Sequence, residues 1–236
     1  MSSIAFCVPT RNRPNSILRF ATAVYTTAHN PADIDIHIYV DDDDQATLPA
    51  LECLKDTYGD RIKVLIGPRI VLSDTHNQLF RFTTSDIICV GSDDVLYTTP
   101  GWDTMVLNKF SEIDDRIAMV YGDDLLNPCI ATHPILHRRW IEALGYVMPP
   151  YFAADYGDTW LDDIAVRLGR RYKLPFITEH LHYLPGKAVM DDTYREARER
   201  ARDTQPIAAY NQHTPERLAD VEKLRKLLGT PYTPRS

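Results

Sequence analysis

In "ICVGSDDVLY", residues 88 to 97, an apolar run suited to a protein interior ends on two adjacent carboxylates, Asp93 and Asp94. Two such charges at ~4 Å and an effective dielectric of ~20 repel by roughly 4 kcal/mol. Solvent, a cation or another partner must hold them. Oxygen ligands match a hard divalent ion, Mg²⁺ or Mn²⁺, whose charge relieves the repulsion. The alternative is a solvated turn with Asx-type bonds, common where a strand ends. Asp41 to Asp44 in "DDDDQ" and the Asp123-Asp124 pair follow other apolar runs in the same way, and Thr10-Arg11-Asn12-Arg13 follows the first.

Positioning these groups together requires that the runs be strands ending on one rim. Ile4 to Val8, Ile34 to Val40, Arg61 to Ile66, Ile87 to Val90 and Ile117 to Tyr121 are β-branched and short. Between them Ser16 to Thr27, Leu48 to Tyr58, residues 71 to 84 and Trp102 to Ile113 have helical periodicity, with Pro9, Asn12 and Pro14 as the first turn signal. The β-α-β alternation predicts an α/β fold with a mostly parallel, twisted sheet flanked by helices. Such sheets bind ligands at the carboxyl ends of their strands, where the acidic loops should gather. The second half is less regular. A helical stripe runs through Trp160, Leu161, Ile164, Ala165 and Leu168, an apolar run spans Leu174 to Thr178, and Leu218, Val221, Leu224 and Leu228 mark a terminal amphipathic helix.

The chain has 236 residues, 44% hydrophobic and 25% charged, with net charge −7 and an isoelectric point of about 5.6. This suits an ordinary globular protein with no overall field toward nucleic acid or anionic lipid. No run approaches the roughly 18 to 20 apolar residues of a membrane span, and no basic leader precedes the first strand, so a cytoplasmic protein is expected. Cys7, Cys53, Cys89 and Cys129 are widely spaced, three in apolar surroundings, and are read as inert reduced thiols.

In order and spacing the segments resemble the GT-A fold glycosyltransferases of the family 2 type. "VPTRNRP" at 8 to 14, with Pro9, Thr10, Arg11 and Arg13, is similar to the first-strand loop that receives the nucleotide. "IYVDDDD" at 38 to 44, with Asp41 and Asp42, resembles the acids that contact base or ribose. Asn77 in "SDTHNQL" resembles the Asn-bearing helix before the metal motif, and "CVGSDDV", with Ser92, takes the place of the Asp-x-Asp segment. Gly91 stands where that segment often carries its first Asp. Residues 125 to 170 are similar to the acceptor half. The resemblance covers residues 4 to about 194 and divides the chain into a domain at 1–205, with a nucleotide-sugar half (1–124) and an acceptor half (125–205), and a C-terminal helix and tail at 206–236.

The resemblance implies transfer of a sugar from a nucleoside diphosphate donor, a UDP-sugar first, to an acceptor hydroxyl with inversion, helped by Mn²⁺ or Mg²⁺ on Asp93 and Asp94. It makes Asp158 the base that takes the hydroxyl proton, with Asp155 as alternative; a helix N-cap is the other reading of Asp158. Trp160 would pack on a sugar ring. A further metal ligand is expected in "EHLHY", where His180 and His182 alternate on a strand and share a side. Lys187, Arg11 and Arg13 would meet phosphate, or else be solvated. A sugar nucleotidyltransferase or a non-catalytic nucleotide-sugar-binding module is the rival reading, although "PTRNRPNS" carries no Gly-rich loop. The acceptor is left open among saccharides, small molecules and hydroxymethylated DNA bases, for which "HPILHRR" and "GRRYK" (Arg170, Arg171, Lys173) would supply phosphate contacts.

Overall fold

Alternation along the first strand builds the molecule from its centre. Ile4, Phe6 and Val8 face one apolar cluster and Ala5 and Cys7 the other, all at most 1% exposed, as expected for a central strand covered on both faces. The computed structural model describes residues 3–233. In chain order it contains β1 (Ile4–Thr10), α1 (Pro14–Thr27), β2 (Ile34–Asp41), α2 (Leu48–Tyr58), β3 (Ile62–Gly67), α3 (Leu72–Arg81), β4 (Ile87–Val90), β5 (Val95–Tyr97), α4 (Trp102–Ser111), β6 (Met119–Asp123), β7 (Ile135–His137), α5 (Arg138–Leu144), α6 (Gly157–Leu168), β8 (Arg171–His180), α7 (Asp192–Thr204), α8 (Pro206–Gln212) and α9 (Thr214–Arg225).

The sheet order is β3-β2-β1-β4-β7-β6-β8-β5. β1 pairs in parallel with β2 and β4, and β2 with β3, so their carboxyl ends share one rim. β7 runs antiparallel between β4 and β6, and β5 antiparallel to β8, which is itself parallel to β6. The expected mostly parallel sheet is therefore present, with two antiparallel insertions. Both are three residues long, too short for a period of two to show in the sequence.

Residues of α1, α2 and α4 pack with Phe6, Tyr97 and Phe176 in one cluster; α3, α5, α6 and α9 supply the other, around Trp140 and Trp160. Helix α1 starts at Pro14 and not at Ser16, because proline fits the first helical position, where the missing N–H is not needed. The fifth expected strand lies at β6, two residues later than its apolar run. The charged stretch after residue 190 forms α7 and α8, which have no apolar stripe to reveal them: Tyr194 is the one buried residue of α7 and α8 has none. Of the four cysteines, all free, Cys7 and Cys89 are buried; Cys53 and Cys129 are exposed, so two and not three are core thiols.

Candidate functional site

β4 delivers the acid pair to the rim. Its end is sealed against β1, where Gly91 N–H donates to the Cys7 carbonyl at 3.0 Å. A Cβ at Gly91 would lie 2.7 Å from Val8 Cγ2 and 3.3 Å from that carbonyl oxygen. A side chain there would require Val8 to shift. Asp93 and Asp94 are 3% and 6% exposed, so water is not what relieves their repulsion. Partners are. Thr10 Oγ1 donates to Asp93 Oδ2 at 2.7 Å and Arg13 Nη1 to Asp93 Oδ1 at 3.2 Å. Asp94 accepts from Ser92, from Tyr194 Oη at 2.8 Å and faces His180 Nε2 at 3.3 Å, and the Arg13 guanidinium lies 3.8 Å away.

These surroundings split the pair. Burial and the neighbouring Asp94 charge push Asp93 up to about 7, against the pull of Arg13 and Thr10. Burial also works against Asp94, yet hydrogen bonds from His180, Ser92 and Tyr194 hold it below the usual carboxylate range. A single guanidinium thus serves two buried carboxylates.

The β1–α1 turn aims two arginines in different directions. Asn12, at φ 53, takes the left-handed conformation that Asn tolerates, and its N–H donates to Asp44 Oδ2 at 2.7 Å. Arg11 then reaches Asp41 at 2.9 Å and Asp43, while Arg13 forks onto Asp191 at 2.7 and 2.8 Å and stacks 4.0 Å from the Tyr194 ring. These groups line a cavity of about 310 Å³ with Pro9, Thr10, Asp41, Arg69, Ser92, Asp93, Asp94, Asp155, His180, His182 and Arg200. Four arginines share that cavity with the acid pair.

A second cavity, of about 420 Å³, shares Pro9, Leu72, Ser92, Ala154, Asp155 and His180 with the first and adds Asp158 and His133. Asp158 lies in the first turn of α6; the N-cap position is Tyr156, at φ 75, which makes no side-chain cap, so Asp158 is not the N-cap. Its Oδ1 accepts from Thr159 N–H at 2.7 Å. Burial above all, with Asp155 adding to it, pushes the carboxyl up to about 6. His133 packs edge-on to His180 with ring centroids 5.0 Å apart, and burial followed by the His180 charge pushes it down to about 4. Its Nε2 and the Nδ1 of His180 are both buried without a hydrogen-bond partner.

Other expected site residues lie elsewhere. Asn77 braces α3 to the 147–148 backbone, donating to Met148 O at 2.8 Å and accepting from Val147 and Met148 N–H, and lines neither cavity. Asp42 is exposed outside both, because the turn after β2 sends Asp41 inward. Lys187 is exposed and paired with Glu179 at 2.6 Å. Trp160 is fully buried, its Nε1–H on Tyr146 Oη at 2.9 Å, and presents no face to a sugar. His182 lies two residues past the end of β8, not on the strand, yet its ring sits 5.1 Å from that of His180. The acidic rim is also smaller than expected: Asp44 accepts from the N–H and hydroxyl of Thr47, Asp124 closes the 124–127 turn, and Asp123 pairs with Lys173.

The basic stretches are internal braces. Arg138 donates to the Ser85 and Thr83 carbonyls, Arg139 to those of Asp115 and Thr230, Arg170 to Asp115 and Arg171 to Asp162. Tyr194, Arg69, Arg200 and His133 line the cavities without having been expected, and Asp191 holds Arg13 from outside them. The signal for Asp191 was an N-cap pattern: its side chain accepts from Tyr194 N–H at 2.9 Å.

The donor set suits a hard divalent ion. Two buried carboxylates need a cation, and imidazoles adjoin them. Among the described residues no three such side chains are already gathered at one point, so an ion would compete with Arg13 for the pair.

Several solved structures share this fold. A mannosyltransferase from Pyrobaculum calidifontis, solved with GDP-Man and Mn²⁺, aligns with TM-score 0.65 and 14% identity over 96% of this chain and 70% of its own. S. aureus TarS aligns with TM-score 0.59 and 10% identity over 76% of this chain, which spans 37% of TarS. TarS 1-349 in complex with UDP-GlcNAc gives TM-score 0.58 and 11% identity, over 83% of this chain and 64% of its own. No curated protein matches by sequence. The sequence model described as "Glycosyl transferase family 2" matches residues 5–123, half of the chain and every strand that supplies the acid pair and the arginines. The chain belongs to glycosyl transferase family 2.

Proposed function

We propose that this protein moves a sugar from a nucleoside diphosphate donor, a UDP-sugar first, onto an acceptor hydroxyl with inversion and with help from Mn²⁺ or Mg²⁺. The observation that carries the reading is the joining of two unlike cavities: one with four arginines around a buried acid pair, the other with a carboxylate held near neutrality.

Arg11 and Arg13 supply positive charge and forked donors to a diphosphate. Asp41, at the end of β2, is the acid available to a ribose, since Gly91 leaves no other. Asp93 and Asp94 would hold the metal, with His180 or His182 beside them; when bound, it supplies Lewis acidity where leaving-group charge grows. Asp158 accepts the acceptor hydroxyl's proton as that oxygen attacks the anomeric carbon from the opposite face. A base pushed up to about 6 is ionised at neutral pH and still basic enough to pull on a hydroxyl. Asp155, shared by both cavities, is the second carboxylate within the site.

The test is a donor screen. The protein is incubated with UDP-, GDP- and TDP-sugars plus Mn²⁺, and nucleotide release is assayed. Release from one donor class is expected, and stimulation lost in EDTA. No release from any donor sinks the reading.

A further inference from the structure

The two joined cavities differ in charge chemistry in a way that bears on the acceptor. The first is lined by Arg11, Arg13, Arg69 and Arg200, as a diphosphate requires; the second, among the described residues, is lined by no Lys or Arg. Its polar groups are Asp155, Asp158, Thr132, Thr159, Ser92 and the imidazoles of His76, His133 and His180, among Leu72, Val90, Ile130 and Met148. The imidazole of His76 already faces the Leu72 and Gly91 carbonyls, at 2.9 and 3.2 Å. His133 is different. Its Nε2 is buried with no partner, and so is Nδ1 of the adjoining His180.

A buried polar atom without a partner is costly, and a hydroxyl, which both donates and accepts, satisfies a ring nitrogen in either tautomer. A phosphate-bearing acceptor would meet the carboxylates of Asp155 and Asp158 with no lysine or arginine on the described lining to balance its charge. Nor do the arginines of residues 138–171 offer a track for a phosphate backbone beside the cavity, because all five are hydrogen-bonded within the protein. Carboxylates, imidazoles and apolar walls without a cation are instead the surroundings of an uncharged polyol.

Resting on the glycosyl-transfer reading, we infer that the cavity beside Asp158 seats an uncharged polyhydroxylated acceptor, a saccharide rather than a phosphate-bearing molecule or DNA, and that His133 Nε2 positions it by hydrogen bonding a hydroxyl. His133 selects and orients the acceptor; the proton goes to Asp158. This explains why Ser92, Asp155 and His180 are common to both cavities: the two substrates meet along that wall.

The experiment pairs acceptors with variants, using the donor found active in nucleotide release. Transfer is measured to methyl glycosides of glucose, galactose and mannose, to the matching sugar 6-phosphates, and to duplex DNA containing 5-hydroxymethylcytosine. At least one methyl glycoside should be glycosylated, with its phosphorylated counterpart and the DNA at least tenfold poorer. For H133A the acceptor KM should rise roughly 10- to 100-fold, the scale of one lost hydroxyl contact, and by a larger factor than the donor KM. H133Q, whose amide reaches where Nε2 lies, should recover part of that loss, and H133N less. Transfer to the DNA or a sugar phosphate in preference to every glycoside overturns the inference while leaving the glycosyltransferase reading intact, as does an H133A protein with an unchanged acceptor KM. Absence of nucleotide release in all arms overturns the reading itself.

Discussion

At the scale of single residues the site consists of charges held in unfavourable places by named partners, and its predictions follow from removing either. Asp158 must be ionised to accept a proton, and its folded pKa is raised to about 6. Activity is therefore lost as pH falls through about 6, whereas an ordinary carboxylate would keep it to well below 5. The acid limb of kcat/KM against pH reads this directly. Asp93, pushed up to about 7, titrates in the same range, so the limb that belongs to Asp158 is the one that disappears in D158N. D158N should leave donor binding near normal and cut transfer by roughly 10²-fold or more; an unaffected rate moves the base elsewhere, to Asp155 first. D93A should abolish Mn²⁺-stimulated turnover, and full activity in EDTA would refute the metal role. The sequence announced the acid pair because adjacent carboxylates after a buried strand are conspicuous. It did not announce His133 or Tyr194, which reach the site from segments without a chemical pattern, and it misplaced Trp160 and Asn77, whose side chains serve packing and bracing.

Among the elements, β1, β2 and β4 were legible because long apolar runs fix parallel strands, and they bring Thr10, Asp41 and Asp93 to one rim. β5, β7 and α7 were not, being either too short or too polar for periodicity to reveal. α7 is the element that completes the donor cavity, and it does so almost wholly through polar links: Asp191 to Arg13, Thr193 Oγ1 to the Arg11 carbonyl at 2.9 Å, Tyr194 to Asp94 and Glu196 to Arg69. A helix with one buried side chain opens at little cost. D191A removes both its cap and the fork on Arg13, a change of about 1 kcal/mol for the cap alone. Amide exchange across residues 192–204 should then speed up by roughly fivefold or more while the melting temperature barely moves, and the active donor should slow it again. Freed from Asp191, Arg13 also has less to hold it over the acids. R13A should tighten Mn²⁺ binding in the absence of donor by several-fold, on the ~1 kcal/mol scale of one ion pair, measured by Mn²⁺ titration; weaker binding would mean that Arg13 organises the ligands instead of competing with the ion.

For the whole molecule the question is whether the C-terminal segment belongs to the catalytic fold, since the sequence sets residues 206–236 apart as a helix and tail. Its amphipathic stripe was visible, but not what it covers. Val221 and Leu224, at 2% and 0% exposed, enter the same apolar cluster as Trp140, Trp160 and Ile164 of α5 and α6. Leu218, the first residue of that stripe, is 42% exposed, so the buried face is narrower than the heptad suggested. Arg217, 4% exposed, is bonded to Asp163 Oδ2 at 2.7 Å and to the Tyr210 carbonyl at 2.9 Å, with its guanidinium 3.8 Å from the Tyr210 ring. Tyr146 Oη, which donates to Asp220, accepts from Trp160. α9 therefore supports the outer side of α6, the helix whose first turn carries Asp158, and the two should unfold together. L224A leaves a cavity in that shared core and should cost about 2–5 kcal/mol, a large part of the ~5–15 kcal/mol that holds such a chain folded. In urea the midpoint should fall in one transition, with the fluorescence of Trp102, Trp140 and Trp160, which report both apolar clusters, coincident with far-ultraviolet dichroism. Donor KM for the variant, measured well below that midpoint, should match the parent's, because α9 touches nothing in the arginine-lined cavity. Should the helical signal instead be lost in a separate early step with the tryptophans unmoved, α9 would be an appendage, and the base would owe its position to the sheet alone.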